Sequence, residues 1–156
     1  MQRLDILIVD DDVLSRIMLE RLVVQCGHNC FSANDGEAAR DVLQSRDIDV
    51  CITDWEMPKA SGLELCQWIK SGEEKKIPYV ILNTSKNRPE DIQAAYEAGA
   101  DDYITKPTDL KYLRLQLTRL AETIRTKEVF QETVAQLSPT DVYRWDLKYD
   151  FDKMRT

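Results

Sequence analysis

The sequence predicts an α/β protein in which a doubly wound, five-stranded parallel sheet carries helices on both faces. Two observations support this fold class. Short apolar runs alternate five times with segments of helical spacing, as in proteins built from strand–helix–strand units. The length of 156 residues, with 43% hydrophobic and 31% charged residues, suits one globular domain with a short addition.

The first third of the chain contains two strands and two helices. Residues 4–9 form a nearly continuous apolar run, which is typical of a strand buried on both faces. A helix over 13–25, ended by Gly27, is predicted from side chains at helical spacing: Leu14, Ile17, Met18, Arg21 and Leu22. A short strand over 29–32 and a helix over 36–44 follow.

The same alternation continues in the second third. A strand over 49–53 leads through a loop punctuated by Pro58 and Gly62 into a helix over 63–70. The next helix opens with Pro89, whose missing N–H costs nothing in a first turn. The remaining elements are a strand over 79–82, a helix over 89–99, a strand over 102–105 and a helix that begins after Pro107.

Polar side chains follow the carboxyl ends of four strands. In chain order they are Asp10, Asp11 and Asp12, then Asp54, then Thr84 and Ser85, and finally Lys106. Because ligands bind beyond the carboxyl ends of strands in such sheets, we expect these groups to converge. Carboxylate oxygens suit Mg²⁺, and a carboxylate nucleophile, a hydroxyl and an ammonium group suit phosphoryl transfer.

Over residues 1–121 the sequence resembles a response regulator receiver domain of bacterial two-component signalling, of the chemotaxis-regulator type. The matching segments are ILIVDD, ITDWEMP with SGLEL behind it, NTS, and AGADDYITKP. This resemblance implies the flavodoxin-like receiver fold. It also implies a signalling switch rather than an enzyme, one that takes a phosphoryl group from a sensor histidine kinase or phosphotransfer protein and loses it only by slow self-dephosphorylation.

The resemblance further implies a role for each matched position. Asp54 accepts the phosphoryl group, and Thr84 and Lys106 contact its oxygens. Mg²⁺ is held by Asp10, Asp11, an Asp54 oxygen and the backbone carbonyl of Glu56. Tyr103 stands at the switch aromatic position and turns inward when Thr84 moves. The last two helices and the fifth strand, over about 89–121, form the output surface.

Two charged residues near the site vary within this family. Glu56 stands two residues after Asp54, and we hypothesise that it screens attacking water and lengthens the lifetime of the acyl phosphate. Lys86 stands two residues after Thr84 and could pair with Glu56. The alternative is that both charges are simply solvated.

A phosphatase of the haloacid-dehalogenase family is the rival interpretation. Its opening motif is an apolar run followed by Asp-x-Asp, which would make Asp10 the nucleophile and Asp12 the general acid. Thr84, Lys106 and the acidic pair at 101–102 would complete that site. The order is wrong, because the acidic pair precedes the lysine, and the motif around Asp54 is left unexplained.

Charge and hydropathy exclude some partners. Residues 1–107 carry 20 acidic and 12 basic residues, a balance that disfavours nucleic-acid binding there. The longest clean apolar runs are four residues, far below the roughly 18 of a membrane span. The N-terminus leads into a strand without a signal-peptide pattern, so we expect a cytoplasmic protein. The four cysteines are expected to be reduced thiols.

The last part of the chain, residues 122–156, is predicted to be an extension of the receiver. Helical sequence continues to about residue 137, with apolar side chains at Ile124, Phe130, Val134 and Leu137. Residues 142–151 then alternate aromatic and charged side chains, as a half-buried strand does. Such a strand must dock on the receiver, pair with a second copy, or begin an output domain of a longer regulator. We expect a homodimer through residues after Ala121.

Overall fold

The computed structural model describes residues 3–72 and 76–136. Five strands alternate with five helices along the chain. The strands are β1 (Asp5–Val9), β2 (Asn29–Ala33), β3 (Val50–Thr53), β4 (Tyr79–Thr84) and β5 (Asp102–Thr105). The helices are α1 (Val13–Gln25), α2 (Gly36–Ser45), α3 (Gly62–Ser71), α4 (Pro89–Glu97) and α5 (Leu110–Gln136).

All strand pairs are parallel, and the strand order is β2-β1-β3-β4-β5. The predicted fold class is therefore confirmed, and the predicted bounds of the elements within residues 4–105 differ from those observed by at most two residues. The strand predicted over 79–82 extends to Thr84 because Asn83 and Thr84 pair with Ile104 and Thr105 of β5. This extension places the hydroxyl of Thr84 at the carboxyl end of β4.

The two central strands form the middle of the core. Every residue of β3 is buried, and Ile6, Leu7, Ile8 and Val9 of β1 are fully inaccessible to solvent. A parallel strand that is covered by helices on both faces has no polar side, which explains the continuous apolar runs in the sequence. The polar groups that belong to these strands are consequently confined to their ends.

Helix α1 is present where it was predicted, but the side chains that predicted it lie largely in solvent. Leu14 is 72% exposed and Met18 is 50% exposed, whereas the buried side chains are Leu19, Leu22 and Val23. The apolar residues of α1 are spread almost evenly around the helix, so their spacing indicates a helix without indicating its buried face. An apolar surface is left on the outside of α1.

Helix α5 continues for 27 residues, from Leu110 to Gln136. Residues 3–118 form one compact unit, and residues 119–136 belong to a second. The division predicted after residue 121 stays a prediction, and the strand predicted over 142–151 lies outside the described residues. Within residues 3–72 and 76–136, no helix combines the length and apolarity needed to cross a membrane.

A buried histidine, His28, lies at the edge of the sheet where β1 and β2 begin. The Nδ1 atom of His28 accepts a hydrogen bond of 3.1 Å from the backbone N–H of Leu4. Burial lowers the pKa of His28 below its ordinary value of 6.5, although the charge of Asp49 opposes the shift. Protonation of Nδ1 would remove the acceptor for Leu4, so the folded state favours the neutral ring.

We therefore predict that stability falls in mild acid because of His28. The folded state binds this proton less readily than the unfolded state, so the contribution is complete above pH 6.5 and is lost as the pH falls. Urea unfolding between pH 7.5 and pH 5.5 should show a slope of up to about 1.4 kcal/mol per pH unit. His28→Asn keeps a side-chain acceptor without a titrating ring, and its slope should be flatter. An identical slope in both proteins would contradict the assignment.

Candidate functional site

Three carboxylates meet at the carboxyl ends of the neighbouring strands β1 and β3. Asp10, Asp11 and Asp54 each contribute an oxygen, and these oxygens all lie within 4.8 Å of one another. Asp10 is buried, Asp54 is partly buried and Asp11 is exposed. The parallel pairing of β1 with β3 causes this convergence, since the backbone N–H of Asp54 donates to Val9 at the end of β1.

Lys106 reaches this cluster from the end of β5. Its Nζ atom lies 2.8 Å from Oδ2 of Asp54 and 2.9 Å from Oδ2 of Asp10. Burial disfavours its charge, but the hydrogen bonds that Lys106 donates to the two carboxylates, together with their negative charges, outweigh burial and raise the pKa of Lys106 above its ordinary value. One ammonium group therefore joins the ends of three strands.

Asp10 is the most deeply buried member of the cluster. Burial raises the pKa of Asp10, and its hydrogen bond with Lys106 opposes that shift. Its second oxygen, Oδ1, accepts from the backbone N–H of Asp12 at 2.9 Å. The guanidinium of Arg16 donates to the backbone carbonyl of Asp10 at 2.8 Å. The sequence offered no signal for this contribution of Arg16.

The loop after β3 holds Asp54 in place. The backbone N–H of Trp55 donates to Oδ1 of Asp54 at 2.6 Å, and the N–H of Gly62 donates to the carbonyl of Trp55 at 2.8 Å. A Cβ atom at position 62 would lie 1.8 Å from the carbonyl oxygen of Asp54. Only glycine allows α3 to begin this close to the site, a constraint that the sequence analysis missed.

Thr84 and Tyr103 are linked through the loop that follows β4. Thr84 is buried, and its Oγ1 atom accepts from the backbone N–H of Lys86 at 3.4 Å. The hydroxyl of Tyr103 donates to the backbone carbonyl of Lys86 at 2.5 Å. Burial raises the pKa of Tyr103 to about 12, so its hydroxyl stays protonated and able to donate.

The side chain of Lys86 contacts two residues of the loop that follows Asp54. Its Nζ atom lies 3.3 Å from Oε1 of Glu56 and 5.2 Å from the centre of the Trp55 ring. The predicted pairing of Lys86 with Glu56 is confirmed, and the ring of Trp55 adds a cation–π contact that was not expected. The effect of Glu56 on the lifetime of an acyl phosphate stays a prediction.

Comparison with known proteins identifies the family of this arrangement. Residues 6–118 match the family model of the response regulator receiver domain. The chain belongs to this family. Chemotaxis protein CheY-3 of Vibrio cholerae is 34% identical over 122 residues, which are 78% of this chain and 94% of that protein.

A solved structure and a longer relative extend this comparison. The receiver domain of a signal transduction histidine kinase from Syntrophus aciditrophicus is 33% identical with a TM-score of 0.71, and the match covers 78% of this chain and 92% of that one. The phosphate regulon transcriptional regulatory protein PhoB of Pseudomonas aeruginosa is 36% identical over 102 residues, which are 65% of this chain and 44% of that protein. Receiver sequences of this kind therefore occur alone and within longer proteins.

The rival phosphatase interpretation is not supported in this receiver. The side chain of Asp12, its supposed general acid, instead caps α1 by accepting from the backbone N–H of Ser15 at 3.0 Å. Asp101 and Asp102 lie at the beginning of β5, whereas Lys106 follows its end. Asp101 pairs there with Lys70, with 2.6 Å between Nζ and Oδ2. The acidic pair and the lysine are thus at opposite edges of the sheet.

Proposed function

We propose that this receiver domain is a phosphorylation-controlled switch whose phosphoacceptor is Asp54. The observation that carries the proposal is the position of Lys106, which binds Oδ2 of Asp54 while the backbone N–H of Trp55 holds Oδ1. Both oxygens of the acceptor are therefore oriented before a donor arrives, which is what phosphoryl transfer requires of a protein.

The reaction needs little from the chain besides this orientation. An Asp54 oxygen forms a bond to phosphorus while the bond between phosphorus and the donor atom breaks, and the electron pair leaves with the donor. Lys106 and the hydroxyl of Thr84 then face the phosphoryl oxygens. Because the group stays on the chain, the product is a modified protein rather than a released compound, and we infer a switch rather than an enzyme.

The donor set fits Mg²⁺. Asp10, Asp11 and Asp54 offer three hard oxygen ligands at one place, and the backbone carbonyl of Glu56 belongs to the loop beside them. Magnesium, when bound, would neutralise these carboxylates and the incoming phosphoryl oxygens. Without a cation, three carboxylates at this distance repel one another, and Lys106 offsets that repulsion in part.

The response would pass from Thr84 to Tyr103. Both contact Lys86, one at its backbone N–H and the other at its backbone carbonyl, so a movement of Thr84 toward the phosphoryl group displaces the acceptor of the Tyr103 hydroxyl. Tyr103 lies on β5 beside α4, within the predicted output surface. A small change of charge at Asp54 would thereby bias a surface made by other elements.

Partner proteins follow from the same chemistry. The donor would be a sensor histidine kinase or a histidine phosphotransfer protein, and we infer cytoplasmic action without direct nucleic-acid binding by the receiver.

We also infer a homodimer through residues after Ala121. In that part of α5, Val129 is 53% exposed and Val134 is 37% exposed. A helix of this length is marginal in water unless its apolar side chains are covered, and a second copy could cover them as a short coiled coil.

The acceptor can be tested by intact-mass measurement with acetyl phosphate and Mg²⁺. The wild-type chain should gain one phosphoryl group, and Asp54→Asn should gain none, because an amide oxygen is a poor nucleophile. Asp12→Asn is the matched control, since asparagine also caps helices, and it should be labelled like the wild type. Label that persists in Asp54→Asn would move the acceptor to another residue.

Metal binding should be visible in the fluorescence of Trp55. Its backbone N–H binds the Asp54 carboxylate directly, so titration with MgCl₂ should change the emission. Asp11→Asn should shift the midpoint at least about tenfold toward higher concentration, because one charged ligand is lost. Trp55→Phe should abolish the change and Trp68→Phe should preserve it. An unaltered midpoint in Asp11→Asn would remove Asp11 from the site.

The dimer is predicted to depend on the end of α5. Light scattering at tens of micromolar should give twice the chain mass for residues 1–156 and a monomer for a truncation that ends at Arg125. Val134→Glu in the full chain should also give a monomer, because a charge in a coiled-coil seam is unfavourable. A full-length monomer would refute the dimer. A truncated chain that still dimerises would place the interface on the receiver.

A further inference from the structure

Arg16 reaches back from helix α1 to the segment that joins β1 to this helix. Its Nη1 atom donates to the backbone carbonyl of Asp10 at 2.8 Å. Its Nε atom lies 3.8 Å from Oε1 of Glu20, which stands four residues later on the same helix. The side chain of Arg16 is 21% exposed, so most of it is packed against the protein. The guanidinium therefore links α1 to the end of β1.

The segment that Arg16 contacts is also held through Asp12. Oδ1 of Asp10 accepts from the backbone N–H of Asp12 at 2.9 Å. The side chain of Asp12 caps α1 by accepting from the N–H of Ser15 at 3.0 Å, and the carbonyl of Asp12 accepts from the backbone N–H of Arg16 at 3.0 Å. The side chain of Arg16 adds a contact at the other end of the segment. Residues 10 and 12 are consequently both fixed in place.

Asp11 lies between these two residues and has no such contact of its own. Its side chain is exposed, and within residues 3–72 and 76–136 it makes no hydrogen bond or ion pair. One of its oxygens nevertheless lies within 4.8 Å of oxygens of Asp10 and Asp54. The direction of the Asp11 side chain must therefore be set by the backbone on either side of it. A group that fixes this backbone also fixes the third oxygen of the cluster.

We propose that Arg16 is a positioning residue for the magnesium site. It holds the backbone that carries Asp10 and Asp11, and it acts on the metal only through these two ligands. The proposal rests on the function proposed above. Removal of a group that orients metal ligands typically lowers the affinity for the metal about tenfold to a hundredfold. Loss of the Arg16 side chain is expected to have an effect of this kind.

The charge of Arg16 acts in the opposite direction. A guanidinium near three carboxylates repels an incoming divalent cation, although the carboxylate of Glu20 offsets part of its charge. If this repulsion were the whole effect of Arg16, its loss would strengthen the binding of Mg²⁺. If the orientation of the ligands dominates, its loss weakens the binding. The two interpretations thus predict changes of opposite sign.

Titration of the full chain with MgCl₂, followed by the fluorescence of Trp55, measures this sign. Arg16→Met should raise the midpoint at least about tenfold. The increase should persist at high salt, where effects of charge are screened. A midpoint for Arg16→Met equal to or below that of the wild type would overturn the proposal.

Arg21→Met is the matched control for the loss of charge. It removes the same charge from the same helix, and Arg21 is exposed and makes no hydrogen bond or ion pair in the part of the chain that the structure describes. Its midpoint should stay within about twofold of the wild type, because an exposed charge is screened by salt. An increase equal to that of Arg16→Met would overturn the proposal, since the contact with Asp10 would then not matter.

Arg16→Lys keeps the charge and changes only the contacts, and it covers the case in which Arg16→Met does not fold. An ammonium group on a shorter side chain cannot replace the planar fork that binds both Asp10 and Glu20. The midpoint of Arg16→Lys should therefore lie above that of the wild type. Equal midpoints would show that only the charge matters and would overturn the proposal. Urea unfolding of each variant checks that a folded protein is titrated.

Labelling by acetyl phosphate separates an effect on the metal ligands from an effect on Asp54. Because Arg16 acts only through the metal ligands, Arg16→Met should be labelled as fast as the wild type once Mg²⁺ is saturating. A rate that stays low at saturating Mg²⁺ would overturn the proposal. A wild-type chain that neither takes up label nor responds to Mg²⁺ would overturn the proposed function itself. A responsive wild type with unshifted variants overturns the role of Arg16 alone.

Discussion

The contact of one ammonium group with two carboxylates organises the functional edge of this receiver. Lys106 lies within 2.9 Å of both Asp10 and Asp54, which follow two different strands. Three carboxylate oxygens within 4.8 Å repel one another strongly unless a cation lies among them. Lys106 supplies this cation from the end of a third strand, β5. The backbone N–H of Lys106 donates to the carbonyl of Thr84 at 2.8 Å, and this hydrogen bond fixes where β5 ends relative to β4.

The same contact connects the acceptor with the surfaces around it. Lys106 directly follows β5, which carries Tyr103. Phosphorylation would exchange a carboxylate at Lys106 for a phosphoryl group with more charge, and Thr84 would respond through the backbone of Lys86. Acceptance of the phosphoryl group at Asp54 and the response of Thr84 and Tyr103 would therefore involve neighbouring strands of one sheet. The buried residues of β1 and β3 keep Asp54 and its carboxylate neighbours in position.

Much of this edge could be predicted from the sequence because a parallel sheet places all strand ends together. The positions of Asp10, Asp54 and Lys106 follow from that rule alone. Other features depend on packing, which periodicity does not report. The apolar residues of α1 surround the helix, so the exposure of Leu14 could not be foreseen. The close approach of Gly62 to the Asp54 carbonyl depends on the tertiary structure, and its only sign in the sequence is the glycine itself.

A double-mutant cycle between Lys106 and Asp10 tests the central claim, namely that Lys106 holds together carboxylates that would otherwise repel. Urea unfolding at pH 7.5 without Mg²⁺ gives the free energy of unfolding for the wild type, Lys106→Met, Asp10→Asn and the double variant. Removing one partner of a buried ion pair costs about 3–5 kcal/mol, so Lys106→Met alone should be strongly destabilised. Adding Asp10→Asn to it should restore at least about 1 kcal/mol. If Asp10→Asn instead destabilises both backgrounds equally, Lys106 does not hold the carboxylates together and the account is wrong.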